Sequence, residues 1–354
     1  MQQRVKGITF PSGYLVTWSG EFENQQRAMS RLALIVPISV FLIFLLLFDA
    51  FKSVRSAGLI LANVPFAIIG GILGVEIAAL GLEPRDVDWV ILTHVHLDHA
   101  GGAGALMAAL PAAQLVVHPR GARHMIDPSK LWQATCEVYG APEAQRMYGG
   151  IEPVAAHRVV EATDGLELRL AGRLLQCFDA PGHARHHIVI RDEASGWIFA
   201  GDTFGISYRE FDVDGRAFAF PSSTPVQFEP EVLCHTIDRV LALEPEAVLL
   251  THYSLVRDVA RIGATLKRLT RRYAQIGLHH QHAGAERGAL IKTDMAQLLT
   301  AELREHGVVM DDAELLGLLA LDIPLNADGI VSWLDAQSRP SPRPQPPAPS
   351  SPSR

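Results

Sequence analysis

Hydrophobic positions are laid out along this chain in two different textures. Two long uncharged runs come first. "LALIVPISVFLIFLLLF" occupies 32–48 between Arg31 and Asp49, and "AGLILANVPFAIIGGILGV" occupies 57–75 and ends at Glu76. At ~1.5 Å per residue each predicts a helix of roughly 25–29 Å, near the ~30 Å hydrocarbon thickness of a bilayer. The polar connector "DAFKSVRS" turns the pair into a helical hairpin. Pro37 and Pro65 are tolerable in membrane helices, where neighbours satisfy the freed backbone groups. A hairpin buried in a soluble core is the competing reading, but "FLIFLLLF" is apolar on every face and suits lipid better. A cleavable signal peptide fits poorly, because the first run starts deep in the chain and no small-residue cleavage site precedes a mature domain. Arg4, Lys6, Arg27 and Arg31 precede the hairpin and Lys52 and Arg55 sit in its connector, so charge sets its orientation only weakly.

After Glu76 the runs shorten. "DWVILT", "AQLVVH", "LELRL", "LLQCFD", "HIVIR", "WIFAG" and "EAVLLT" read as buried strands. Amphipathic helical patterns lie near 102–110, 129–139, 229–243, 255–280 and 289–306. Strands alternating with helices predict an α/β layered domain. From Arg339 the Pro/Ser-rich "RPSPRPQPPAPSSPSR" predicts a disordered tail. The chain therefore divides into a polar segment (1–31), a transmembrane hairpin (32–75), an α/β domain (76–260), a helical extension (261–338) and the tail (339–354).

Composition narrows the function. The 354 residues carry a formal charge of −7 that is dispersed along the chain, which argues against a nucleic-acid partner. Cys136, Cys177 and Cys234 are few, odd in number and widely spaced, so neither a disulfide framework nor a cysteine metal site is expected. No GxSxG, P-loop or strand-associated GxGxxG occurs, which leaves serine-hydrolase and nucleotide-binding readings without support.

The chemistry gathers at strand ends. His94, His96, Asp98 and His99 follow "DWVIL" within six positions. In an extended segment residues two apart share a face, so His94, His96 and Asp98 are expected to project together, with His99 swinging in at the turn. Three later strands repeat the same order of apolar run and then ligand: "LLQCFDAPGH" ends at His183, "GWIFAGD" at Asp202 and "AVLLTH" at His252. Strand carboxyl ends are where α/β sheets place their sites. Seven imidazole and carboxylate donors fit two metal ions, zinc first, with iron or manganese also compatible.

"THVHLDH", "PGH", "GDT" and "LTH" together resemble the metallo-β-lactamase superfamily over about 77–260, in the hydrolase branch of glyoxalase II and the lactonases. The resemblance implies an αββα sandwich and two divalent ions. One would be held by His94, His96 and His183, a second by Asp98, His99 and His252, with Asp202 bridging. It further implies a metal-bound hydroxide attacking an ester, thioester or lactone of a small-molecule substrate, with Asp98 both ligand and catalytic group. His187 resembles a supporting histidine behind the ligands, and Tyr208 is a candidate to reach the substrate or its oxyanion. His118 and the trio His279, His280 and His282 are expected to be structural or solvated.

The segment from "PSGYLVTWSGEFENQQRA" to "NVPFAIIGGILG", about 8–75, resembles heavy-metal efflux transporters of the resistance-nodulation-division family. That similarity implies a membrane association through 32–75, with the enzyme domain periplasmic if the hairpin inserts as in those pumps and cytoplasmic if it does not. It places a seam near Gly74 to Glu76. No "IDTG"-like turn precedes "LEPRDVDWVILTH", so the sandwich is expected to lack its N-terminal strands. A transporter-derived fragment with a passenger domain, or an inactive chimera, are the alternatives to an enzyme. Oligomeric state is not specified by the sequence.

Overall fold

The computed structural model describes residues 80–338, with 226 and 253 excepted. The hairpin expected at 32–75, the polar segment before it and the tail from 339 lie outside the described residues. Among the described residues no single helix is long and apolar enough to cross a membrane.

Strands form at all seven predicted runs: β1 (Trp89–Ile91), β2 (Gln114–Val117), β4 (Leu166–Leu170), β5 (Arg173–Asp179), β6 (Ile188–Asp192), β7 (Trp197–Gly201) and β8 (Ala247–Leu250). Two short strands, β3 (Val159–Glu161) and β9 (Ser254–Val256), were not anticipated. β1, β2 and β3 make a parallel three-stranded sheet in that order. β4 to β9 make a six-stranded sheet in chain order, antiparallel except for the parallel β7–β8 pair. A parallel pair needs a crossover, and α6 (Pro230–Ala242) supplies it.

The helices are α1 (Leu97–Ala100), α2 (Ala103–Ala109), α3 (Pro119–Ile126), α4 (Ser129–Tyr139), α5 (Ala141–Tyr148) and α6, followed by α7 (Val259–His280), α8 (Arg287–His306), α9 (Asp312–Leu318) and α10 (Asp322–Ser338). Strand alternation sorts the side chains into layers. Leu115 and Val117 of β2 pack with Met107 of α2 and Ala122 and Met125 of α3. Val116, between them, turns the other way and meets Leu168, Leu175, Cys177, Ile188 and Ile190 of the second sheet. Val189, Ile198 and Val248 leave that sheet's far face and join a cluster with Leu233, Leu266, Met295 and Ile330 from α6, α7, α8 and α10. Helices, sheet, sheet and helices follow one another, as an αββα sandwich requires. Each fully buried Leu or Ile in these clusters contributes about 1.5–3 kcal/mol. Residues from 261 onward have no core of their own among these clusters; they complete the outer helical layer of the second sheet.

Two polar links fix the first sheet. The Arg158 guanidinium donates to the carbonyls of Met107 (2.8 Å), Leu110 and Ala113 (2.7 Å), capping the C-terminal end of α2. The Trp89 indole N–H donates to Arg169 O at 3.0 Å, joining the sheets. β1 lies at a sheet edge, paired with β2 alone among the described residues. Whether strands precede it concerns residues before 80, outside those described.

Candidate metal centre

The strand β1 runs through Leu92 into His94, whose side chain is fully buried. At His96 the backbone turns (φ −64°, ψ 149°) and α1 begins at Leu97. Asp98 and His99 therefore stand on a helical turn. The expected co-facial trio of His94, His96 and Asp98 does not form, because strand alternation ends at His96. The six-residue run instead splits into two donor groups: His94 and His96 join His183, whereas Asp98 and His99 join His252. In a third group His94, His99 and Asp202 connect them. Within each group the ligand atoms lie within 4.8 Å of one another.

In the inner group, His96 Nδ1 lies 3.0 Å from His94 Nε2 and 3.1 Å from His183 Nε2. His183 Nδ1 is 3.1 Å from the Ser222 carbonyl, which can only accept. The Nδ1 must therefore carry the proton, and Nε2 turns a lone pair toward the cluster. Ser222 is held in turn by its neighbour: Ser223 N–H donates to Asn326 Oδ1 of α10, and Ser223 Oγ to Asn326 O at 3.0 Å. The outer group is more open, with the side chain of Asp98 49 % exposed and that of His252 33 %.

Asp202 sits at the centre, delivered by a bulge in β7 between Phe199 and Gly201. A bulge re-aims the residue that follows it. Gly201 has φ +52°, and a Cβ there would lie 2.5 Å from His187 Nε2 and 2.8 Å from Thr93 Cβ. Glycine is needed both for the backbone conformation and for the close approach. His187 fills that space: it is fully buried, its ring stacks on His94 with centroids 4.7 Å apart, and its Nε2 accepts the Asp202 N–H at 3.2 Å. His187 thus aims the central carboxylate.

The electrostatics divide as the geometry does. Burial pushes the imidazoles of His94 and His187 well below their usual range, lowers that of His183, and takes that of His96 down to about 3. Neighbouring histidines add to the effect. All four are neutral at pH 7. For His99, burial also lowers the pKa, but Asp202 and Asp98 outweigh it and lift it to about 9. Asp202 and Asp98 likewise lift His252 to about 10 against the opposing effect of burial. Burial raises the carboxyl pKa of Asp98 and Asp202, yet His252 and His99 hold both below the ordinary range.

Within the donor cluster, Asp202 Oδ1 and His99 Nε2 are buried without a hydrogen bond among the described residues; His99 Nε2 is only in ion-pair range of Asp98 Oδ2 at 3.2 Å and of Asp202 Oδ1 at 3.4 Å. Buried polar atoms are nearly always paired. A cation between them would satisfy both, and imidazole with carboxylate is a donor set for zinc, iron or manganese. The residues fit a divalent ion.

Tyr208 lies against α10. Its O–H donates to Asp322 Oδ2 at 2.7 Å and its ring packs on Phe211 and Phe220. His118 caps α3, accepting the Arg120 N–H, and pairs with Asp179. His280 pairs with Asp294, and His279 and His282 are exposed. Sequence reasoning passed over His186, which is buried with its ring 5.6 Å from that of His96 and its Nδ1 accepting the Val95 N–H at 3.4 Å. The only trace of it was the doublet in "GHARHH". The Ser222 carbonyl left no trace, since every residue carries one.

A family model described as the metallo-beta-lactamase superfamily matches residues 36–252. The match begins within the first apolar run, upstream of residue 77. Metallo-beta-lactamase fold-containing protein ST1585 of Sulfurisphaera tokodaii is 28% identical over 176 residues, covering 48% of this chain and 62% of that protein. Metallo-beta-lactamase family protein TTHA1429 of Thermus thermophilus shares the fold at 20% identity, with a TM-score of 0.52 over 75% of this chain and 80% of that one. A different similarity is to the cobalt-zinc-cadmium resistance protein CzcA of Cupriavidus metallidurans, 40% identical over 76 residues, or 22% of this chain and 7% of that protein. The chain thus spans a small part of this efflux relative and less than two thirds of ST1585. Since the superfamily match covers more than half of its length, and lies over this sandwich and its donor cluster, the chain belongs to the metallo-beta-lactamase superfamily.

Proposed function

We propose that this protein is a metal-dependent hydrolase that cleaves an ester, thioester or lactone at the Asp202 cluster. The observation that carries the reading is the buried pair Asp202 Oδ1 and His99 Nε2, each lacking the partner that a cation would supply. Members of the superfamily are usually hydrolases, which agrees with it. His94, His96 and His183 would hold one divalent ion and Asp98, His99 and His252 a second, with Asp202 shared. Zinc is the first candidate, and iron or manganese suits the same donors. Such ions, when bound, supply the Lewis acidity that brings a water pKa toward neutrality and polarises a carbonyl.

The protein's own residues do the positioning. Ser222 fixes the His183 tautomer, and His187 orients Asp202 through its backbone N–H. Burial keeps the inner imidazoles neutral, with their lone pairs available. Asp98, on the open side with its side chain 49 % exposed, would be a ligand that also orients a water. We assign Asp98 that catalytic role. A membrane attachment through 32–75 is part of the same proposal and rests on the two uncharged apolar runs there; a chain recovered in the supernatant after carbonate extraction rules that attachment out.

The test is metal content with turnover. Purified protein should hold about two equivalents of zinc, iron or manganese. Asp98→Ala should lose much of the outer ion and at least about ten-fold in rate. A folded chain that takes up none of the three metals and hydrolyses no member of a thioester, ester and lactone panel refutes the reading and favours a passenger domain or an inactive chimera.

A further inference from the structure

Beside the donor cluster lies a cleft of about 550 Å³ lined by Arg120, Arg123, His124, Arg185, His186 and Gln227, among others. That volume is within the ~300–1,000 Å³ usual for small-molecule sites. His186 is the wall shared with the donors, its ring 5.6 Å from that of His96. Helix α3 supplies the opposite side. Arg120, Arg123 and His124 fall at i, i+3 and i+4, and so share one helical face. Gly121 lets that helix ride against the segment between His94 and His96. A Cβ at 121 would lie 2.8 Å from Val95 Cγ1 and 3.0 Å from Val117 Cγ2.

The charges in the cleft do not cancel. Arg185 is taken: its Nε donates to Glu229 at 2.7 Å and its backbone N–H to Gln227 Oε1 at 2.8 Å. Arg120 Nη1 reaches only the Arg185 carbonyl, at 3.5 Å, and Arg123 Nε only the His124 ring, at 3.3 Å. Neither has a carboxylate partner among the described residues. Two exposed guanidinium groups thus stand together at the rim of one cleft, on a chain whose formal charge is −7. On such a chain carboxylates are the commoner charge, so two neighbouring arginines without one are set apart from the bulk surface. A planar guanidinium fork matches the two oxygens of a carboxylate or phosphate.

We propose that this cleft is an anion-binding subsite that takes a carboxylate or phosphate group on the substrate, remote from the bond that is cut. The part about substrate rests on the hydrolase reading; anion binding itself does not. The favoured substrates are then acidic esters or thioesters, and neutral lactones are disfavoured.

The experiment separates the two claims. Metal-stripped, dialysed full-length protein is titrated with succinate and, separately, with inorganic phosphate by calorimetry. Removing the metals keeps phosphate from reporting on them. Wild type should bind at least one of the two, and Arg120→Ala/Arg123→Ala should bind it roughly ten-fold or more weakly. Arg120→Lys/Arg123→Lys, which keeps the charge and loses the fork, should fall between them. Whichever anion binds identifies the group. In the zinc-loaded enzyme the double alanine variant should raise KM for a thioester bearing that group more than KM for its neutral congener. Equal affinities in wild type and double variant, with the variant's melting temperature and metal content intact, overturn the proposal and leave the hydrolase reading standing. Loss of anion binding in a chain that takes up no metal retains the anion site and removes the hydrolase.

Discussion

Gly201→Ala tests whether the centre depends on the close packing beneath Asp202. The substitution does two things. It places a residue with a Cβ at φ +52°, which costs about 1–2 kcal/mol. It also puts that Cβ 2.5 Å from His187 Nε2, 2.8 Å from His187 Cε1 and 2.8 Å from Thr93 Cβ. His187 is fully buried and wedged against His94, so it has little room to give way. Overpacking of that kind costs a further ~1–3 kcal/mol. At about 2–4 °C per kcal/mol for a domain of this size, the melting temperature of metal-free protein should fall by roughly 4–20 °C. Moving His187 also disturbs the acceptor of the Asp202 N–H, so metal retained after dialysis should drop as well. Gly215→Ala is the control. It has φ +73° but nothing within 4 Å of its Cβ, so it should show the backbone cost alone, about 1–2 kcal/mol, with metal content unchanged. Circular-dichroism melts and elemental analysis read both effects. Equal shifts for the two variants, or full metal retention in Gly201→Ala, would refute the reasoning.

Two further outcomes follow from the site. His99 and His252 stand at about 9 and about 10 in the metal-free chain, above the ordinary 6.5, so their ion pairs stabilise the fold fully below pH 6.5 and cease to as pH rises through 9 to 10. Ion uptake by Asp98, His99 and His252 must displace those protons, so at a fixed low free zinc concentration the metal bound per chain should rise between about pH 6 and 9, with proton release; a flat stoichiometry over that range contradicts the assignment. Tyr208→Phe removes the 2.7 Å bond to the buried Asp322 carboxylate and should cost about 1–3 kcal/mol while leaving kcat/KM for the best panel substrate within about two-fold. A ten-fold loss of kcat/KM with little change in melting temperature would return Tyr208 to the substrate.

The two-sheet architecture was readable because most of its strands lie in short apolar runs, and four of them, β1, β5, β7 and β8, lead into a donor. β3 and β9 escaped notice because three residues, "VVE" and "SLV", make no pattern at all. α3, "PRGARHMI", is only eight residues long and carries a glycine in its first turn, so its helical pattern is weak. Its helix is fixed by the His118 cap, a local contact made by an uncommon capping residue, and by the packing of Gly121 against Val95, which is not a local signal. α10 contains Pro324, Asn326, Asp328 and Gly329, all poor helix formers, yet it holds because Ile323, Ala327, Ile330 and Leu334 enter the core. Proline costs little in a first turn. At the site the donor types were plain, while their grouping was not. An extended segment and a helical turn distribute His94, His96, Asp98 and His99 differently, and only the turn at His96 decides between them.

The contact between Asn326 and Ser223 bears on the order in which the site comes into being. All seven donors have been synthesised once His252 is made, yet Asn326, which anchors the Ser222–Ser223 backbone behind His183, is added more than seventy residues later. A nascent chain therefore carries a complete set of donors for some time before the helix that braces one of them exists. Metal met in that interval would encounter His183 without its brace, so that one donor is the last to be fixed.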